Sequence, residues 1–160
     1  MSLNIRHART EDAELIYQFV TELAEYENLS HEVLATEADI RQTLFGLQPR
    51  AYCYIAEWEG RPAGFALYFY NYSTFVGRNG IYLEDIYVRP EFRGKGVGKE
   101  LLARIAAKAV KENCGRLEWA VLDWNQPAIN FYESLSARSI NGWTTYRLTG
   151  RHLKELAGLV

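Results

Sequence analysis

A strand, a glycine-rich turn and a long helix follow one another in the middle of the chain, and this unit constrains the fold more than any other feature. Residues 80–88 are predicted to form the strand, and residues 97–110 a helix with one apolar face. Residues 117–122 follow as a second strand. Two strands of one sheet that are joined by a helix run parallel through a crossover, so the sheet must contain a parallel pair.

The segments on either side add antiparallel strands and further helices. Two apolar runs, residues 52–58 and 63–71, flank a Gly-Arg-Pro turn and are typical of a hairpin. Thr36 followed by Asp39 indicates a helix that runs to about Phe45. The other predicted elements are a strand at 3–9, a helix that begins at Thr10, a helix at 127–135, a strand at 143–148 and a helix at 151–159. The order β-α-α-β-β-β-α-β-α-β predicts an α+β fold in one domain over residues 1–160, with a mixed, mostly antiparallel sheet flanked by helices.

Composition and charge narrow the class of protein. A chain of 160 residues that is 48% hydrophobic suits a globular domain, and its net charge of −2 argues against a nucleic-acid binder. No segment has the ~18 uninterrupted apolar residues of a membrane span, and the N-terminus lacks the apolar region of a signal peptide. We therefore expect a cytoplasmic protein with no membrane partner. Two distant cysteines and three scattered histidines predict no metal site.

The glycine-rich turn, Arg93-Gly94-Lys95-Gly96-Val97-Gly98, is suited to binding a phosphate group. Glycine lets a ligand approach the backbone closely, and the first N–H groups of the following helix attract anions. Arg93, Lys95 and Lys99 add positive charge. A P-loop would need glycine in place of Arg93, and the dinucleotide fingerprint would need glycine in place of Lys99, so neither motif fits.

The turn resembles the acyl-CoA pyrophosphate loop of the GNAT N-acetyltransferases, whose pattern is Q/R-x-x-G-x-G/A. The segments 82–88, 124–132 and 22–27 are similar to the diamine and polyamine branch, in which the spermidine/spermine N1-acetyltransferases lie. The resemblance implies that acetyl-CoA is the acetyl donor and that Tyr132 faces its sulfur. The implied cofactor-binding residues are Ile86, Tyr87, Val88, Arg93, Gly94, Lys95, Gly96, Val97, Gly98, Lys99, Asn125, Gln126, Pro127, Ala128 and Tyr132.

The reaction that this resemblance implies needs a base and an acid. A primary amine with a pKa of about 10.4 is protonated at neutral pH, and Glu84 is our candidate general base, acting directly or through water. The alternative is that Glu84 only binds the cationic substrate. An N–H group near Tyr87 could stabilise the developing oxyanion, and the Tyr132 hydroxyl could protonate the departing thiolate.

The substrate is expected to be a small cation held by carboxylates and aromatic rings. The candidate residues are Tyr26, Glu27, Glu84, Asp85, Glu118 and Trp119. Strand alternation places Glu84 and Asp85 on opposite faces of a sheet, so both can reach one pocket only if a bulge lies between them.

The chain departs from the branch in one segment. The branch carries acidic residues before the position of Gly142, where this chain has Ser139, Ile140 and Asn141, and Ser136 replaces a usual glycine. Fewer acidic groups favour a short amine, such as a diamine or a thialysine-like amino acid, over a long polyamine. The alternatives are a protein, peptide or aminoglycoside N-acetyltransferase and a non-catalytic acyl-CoA-binding regulator. The family also implies a homodimer.

Overall fold

The computed structural model describes residues 2–160, which divide into two compact units, with the boundary in the chain between Leu122 and Asp123. The expectation of a single domain over the whole chain stays a prediction. The first unit has eight main elements, namely β1 (Leu3–His7), α1 (Ala13–Tyr26), α2 (Glu37–Phe45), β2 (Tyr52–Trp58), β3 (Arg61–Ser73), β4 (Arg78–Val88), α3 (Val97–Lys111) and β5 (Leu117–Trp119). The second unit contains α4 (Gln126–Ser134) and α5 (Gly150–Leu156). No helix among the described residues is long and apolar enough to cross a membrane.

The five strands form one sheet in the order β1-β2-β3-β4-β5. The first three pairings are antiparallel, and β4 pairs with β5 in parallel after the chain has crossed over through α3. The predicted mixed, mostly antiparallel sheet is therefore confirmed. The parallel strand β5 ends at Trp119, three residues earlier than predicted.

Helices cover both faces of the sheet. On one face, the Phe19 ring of α1 stacks on the Phe65 ring of β3 at 5.3 Å between centroids, and neither side chain is accessible to solvent. Burying one such side chain contributes about 2 kcal/mol. Ile55 lies in the same cluster, and its neighbour Tyr54 points to the opposite face because side chains alternate along a strand. There, the Arg104 guanidinium of α3 lies 5.8 Å from the Tyr54 ring centroid.

The start of α2 illustrates a local signal that the sequence carries in full. The Asp39 N–H donates to the Thr36 hydroxyl oxygen at 3.1 Å, and the Thr36 N–H donates to the Asp39 carboxylate at 2.9 Å. This reciprocal capping box satisfies two N–H groups that the helix itself cannot bond. The predicted helix from Thr36 to Phe45 is confirmed.

The predicted last strand, residues 143–148, is wrong, because this segment is irregular in the structure. Its alternating aromatic and polar residues suit a strand, but a strand is stable only when a neighbour pairs with its backbone and covers one face. Trp143 is 81% exposed and Tyr146 is 92% exposed, so neither side chain has such cover. The helix predicted at 151–159 is present as α5, although it ends at Leu156.

Candidate active site

The glycine-rich turn gives α3 an N-terminus with free space beside it. Gly94 and Gly96 have φ angles of 76° and 82°, in the left-handed region that favours glycine. A Cβ atom built on either residue would meet no atom within 4 Å. The first helical bond of α3 is donated by Glu100 to the Gly96 carbonyl, so the N–H groups of residues 97–99 precede the helical ladder. The turn therefore fits a diphosphate bound by main-chain N–H groups.

Two of the predicted cations around the turn, Arg93 and Lys95, lie against aromatic rings. The Arg93 guanidinium lies 5.1 Å from the Tyr26 ring centroid and 5.7 Å from that of Tyr87, and its Nε donates to the Val88 carbonyl at 2.9 Å. Lys95 Nζ lies 5.2 Å from the Trp58 ring centroid. Both charges are thus engaged with aromatic faces, so the N–H groups and the helix dipole are the main features of the turn that would favour an anion.

The last residues of β4 leave one backbone edge of the sheet open. The strand pairs with β3 as far as Val88, but its pairing with β5 ends at Leu83. From Glu84 onward, no strand of the described residues pairs with the edge of β4 on the β5 side. An extended ligand can bond to such an edge as an added strand does. Ile86, Tyr87 and Val88, the predicted cofactor-binding residues of β4, lie on this stretch.

A β-bulge lies at Glu84. Leu83 pairs with Tyr68 and Asp85 pairs with Leu67, so Glu84 is an extra residue on β4 without a partner on β3. A bulge shifts the alternation of side chains by one residue. The structure thus supplies the condition under which Glu84 and Asp85 can approach one pocket.

Two carboxyl groups near this bulge have raised pKa values. Burial is the largest cause that raises the pKa of Asp85, to about 7, and the negative charges of Glu84 and Glu27 raise it further. Burial also raises the pKa of Glu27, which directly follows α1. The Glu84 side chain is exposed. The structure therefore brings three of the predicted substrate-binding residues into one electrostatic cluster, which we call the carboxylate cluster (Glu27, Glu84 and Asp85).

The other predicted substrate residues of the first unit lie apart from this cluster or at its border. Glu118 of β5 accepts a hydrogen bond from Asn71 at 3.2 Å and forms an ion pair with Arg116 at 3.1 Å, so its charge is already compensated. Trp119 pairs with Leu83 across the parallel β4–β5 ladder. Tyr26 lies at the end of α1, under the Arg93 guanidinium.

The second unit contains the remaining predicted residues. Asn125 is buried and caps α4, because its side-chain oxygen accepts a hydrogen bond from the Ala128 N–H at 3.4 Å. Pro127 lies in the first turn, where its missing N–H is not needed, and Gln126 donates to Asn130 at 2.7 Å. Tyr132 lies two turns further along α4, half-buried, with its ring 5.6 Å from that of Phe131.

Sequence reasoning missed one ion pair that fixes the first unit's part of the site. Arg89, directly after β4, donates to both carboxylate oxygens of Glu22 on α1, at 3.0 and 2.9 Å. The Tyr87 hydroxyl donates to the same carboxylate at 3.3 Å. The pair fastens the last turn of α1, which carries Tyr26, to the end of β4. A glutamate on the apolar side of an amphipathic helix was the available signal.

Comparison with known proteins identifies relatives along the whole chain. Residues 13–136 match the family model described as the acetyltransferase (GNAT) family. The thialysine N-epsilon-acetyltransferase of Mus musculus is 40% identical over 168 residues, which cover 98% of each chain. The L-ornithine N5-acetyltransferase of Arabidopsis thaliana is 32% identical over 201 residues, with 98% of this chain and 88% of that one covered.

Two further comparisons concern the branch and the fold. The human spermidine/spermine N(1)-acetyltransferase-like protein 1 is 35% identical over 163 residues, which cover 96% of this chain and 23% of the human protein. Among solved structures, an integron cassette protein of Vibrio cholerae superposes with a TM-score of 0.81 at 28% identity, and 98% of each chain is covered.

Proposed function

The chain is an N-acetyltransferase of the acetyltransferase (GNAT) family, and from this premise we propose that it transfers the acetyl group of acetyl-CoA to the terminal primary amine of a small cationic substrate. The net reaction converts an ammonium and a thioester into an amide, a free thiol and one released proton. The observation that carries the proposal is the juxtaposition, within the first unit, of an anion-binding turn, an open strand edge and the carboxylate cluster.

The donor's two polar regions have matching partners in the first unit. The N–H groups of Gly94 to Lys99 suit the pyrophosphate, since main-chain donors at a helix N-terminus favour negative charge. The open edge at Ile86 to Val88 suits the amide groups of the pantetheine arm. In the second unit, Asn125 to Ala128 form the cap and first turn of α4, and we propose that they also contact the donor.

The protein's own groups then move two protons. A carboxylate at the bulge takes one proton from the ammonium, directly or through water, and Glu84 is the residue that the sequence pattern selects for this role. The Tyr132 hydroxyl gives a proton to the sulfur as the carbon–sulfur bond breaks. The Tyr87 N–H is our candidate donor to the carbonyl oxygen on which negative charge develops.

The expected substrate is an amino acid or a diamine with one short aminoalkyl chain. Two of the relatives are named for thialysine and ornithine, both amino acids with a terminal amine. The negative charges of the carboxylate cluster provide attraction for the ammonium group. The uncharged residues at 139–141 argue against a long polyamine, whose further charges would need partners.

A panel of amines assayed with acetyl-CoA by release of free thiol tests this function. We expect turnover of thialysine, ornithine, lysine and short diamines, with spermine at least tenfold less efficient in kcat/KM. Aminoglycosides and a peptide with a free N-terminus serve as competitors from other substrate classes. Thiol release with those compounds alone, or with none, would contradict the proposal.

We further propose that the protein works as a cytoplasmic homodimer. Cys53 and Cys114 are free thiols, as is usual in a reducing compartment. Large apolar side chains of the second unit, among them Trp143 and Tyr146, are exposed in the single chain and suit a partner surface.

A further inference from the structure

The bulge separates two neighbouring carboxylates into different environments, and this separation assigns them different tasks. We propose that Asp85 is the residue that takes the proton from the substrate ammonium, and that Glu84 beside it passes this proton on to solvent. This inference rests on the proposed function and names a catalytic residue within it.

The register of the sheet supports this assignment, because it sets the face on which the Asp85 side chain lies. Cys53 of β2 pairs with Leu67 of β3, and Leu67 pairs with Asp85, so the three side chains form one row across the sheet. Cys53 is 5% exposed and belongs to the apolar cluster under α1, against which Leu67 also packs. In a regular strand without the bulge, Glu84 would pair with Leu67 and lie in this row. Asp85 would then pair with Ala66, and its side chain would lie on the opposite face. The bulge therefore directs Asp85 toward the apolar cluster.

The charged groups around Asp85 make its ionised form unfavourable. Burial is the largest cause of the raised pKa of Asp85, and the negative charges of Glu84 on the same strand and Glu27 after α1 add to it. Burial is the largest cause that raises the pKa of the Cys53 thiol on β2, and the negative charges of Asp12 and Asp85 add to it. Burial and the charge of Glu22 raise the pKa of Tyr87, two residues along β4, and the charges of Arg93 and Arg89 offset part of that rise, whereas the causes that shift the pKa of Asp85 include no cation. An ammonium ion is therefore the cation that this carboxylate lacks.

These surroundings suit a general base that works near neutral pH. A base with a pKa close to the working pH is ionised in a large fraction of molecules and still accepts a proton strongly. Exposure suits Glu84 to the second task, because a proton that reaches it can leave to water.

The proton balance of the proposed step is complete. The ammonium gives one proton to the Asp85 carboxylate, and the freed nitrogen lone pair forms the new bond to the thioester carbonyl carbon. The carbon–sulfur bond breaks, and the sulfur takes a proton from Tyr132, which recovers one from the nitrogen by way of solvent. Asp85 then loses its proton through Glu84, which accounts for the single proton that the overall reaction releases.

The pH dependence of kcat/KM for thialysine in the Asp85→Asn variant tests the inference. We expect a loss of about 100-fold or more at pH 7 that shrinks toward pH 9, where a larger fraction of the amine is already deprotonated. Asp85→Glu should restore part of the rate, and Glu84→Gln should cost about tenfold, since water can replace an outer relay group. CoA affinity, measured by calorimetry, should be unchanged in Asp85→Asn. A constant loss at all pH values, or a rise in KM alone, would show that Asp85 only binds the substrate.

A second measurement needs no variant and no turnover. With ¹³C-labelled aspartate in the wild-type protein, the carboxyl resonances of Asp12, Asp39, Asp85 and Asp123 can be followed against pH. We expect one of them to titrate near neutral pH and to shift when the amine is added. If all titrate in the ordinary acidic range, the inference is overturned even where the enzyme is active. Absence of thiol release by the wild-type protein would instead refute the proposed function itself.

Discussion

At the scale of single residues, one inserted position decides how two carboxylates behave. The sequence places Glu84 and Asp85 next to each other, and the bulge exposes the first and directs the second into an apolar row. The residue types of the site could be predicted, since carboxylates and aromatic rings are what a cationic substrate requires. The bulge could not, because strict alternation is the default for a strand and nothing in the local sequence marks an extra residue.

The same environment predicts how stability depends on pH. The folded protein raises the pKa of Asp85 from 3.8 to about 7, so folding favours its neutral form. That contribution is complete below about pH 4 and is lost as the pH rises through about 7. Asp85→Asn keeps the neutral shape and should therefore raise the free energy of unfolding at pH 8 by about 1–3 kcal/mol, after allowance for the group's partial exposure.

Urea denaturation of both proteins at pH 4 and pH 8 measures this effect. At pH 4 the two proteins should differ by less than about 0.5 kcal/mol, because Asp85 is neutral in the wild-type protein as well. An equal difference at the two pH values would mean that the carboxyl group does not titrate between them.

At the scale of elements, the signals at helix ends and the five strands of the sheet were predicted correctly, whereas one predicted strand has no neighbour to pair with among the described residues and does not form. The capping box at Thr36 specifies the start of α2 by itself. Residues 143–148 have the composition of a strand, but composition cannot supply the neighbouring backbone that a strand needs. The turn before α3 was also predicted correctly, because alternating glycines between a strand and a helix are a local signal for a turn with left-handed φ angles.

Replacing Gly96 by alanine tests the anion-binding turn, and Gly60→Ala is a matched control. Both residues have left-handed φ angles, 82° and 79°, and a Cβ atom at either would meet nothing within 4 Å. Each substitution should therefore cost about 1 kcal/mol of stability through backbone strain. Gly96→Ala alone should weaken CoA binding, by about tenfold or more, because its methyl group enters the space proposed for the diphosphate.

Isothermal titration with CoA and thermal melts of both variants separate these effects. Equal CoA affinities of the two variants, at similar losses of stability, would exclude the turn as the binding site.

At the scale of the whole molecule, the family and the polyamine-type branch that the motifs indicated are confirmed by the relatives, and the fold by solved structures. Sequence reasoning succeeded here because the motifs are spread over the chain in order. It could not account for the apolar surface of residues 140–160, since exposure depends on the surroundings of each side chain and on partners beyond one chain.

The proposed homodimer predicts the hydrodynamic mass. Light scattering during size-exclusion chromatography should give twice the 18.4 kDa of the chain at micromolar concentration. The double substitution Trp143→Ser and Tyr146→Ser should shift the population toward the monomer, because both exposed side chains would lose apolar area available to a partner. A monomeric wild-type protein would contradict the proposal.

The edge of β4 beyond Leu83, which pairs with no strand of the described sheet, also affects how readily the protein aggregates. Uncovered strand edges are the places where separate chains join into insoluble assemblies, and natural sheets protect them with charge, bends or a cover. Here Glu84 supplies two of these safeguards, an exposed charge and a bulge that bends the strand, at the start of the unpaired stretch. The bulge that we assign to proton transfer thus also protects this edge against pairing with a strand of another chain.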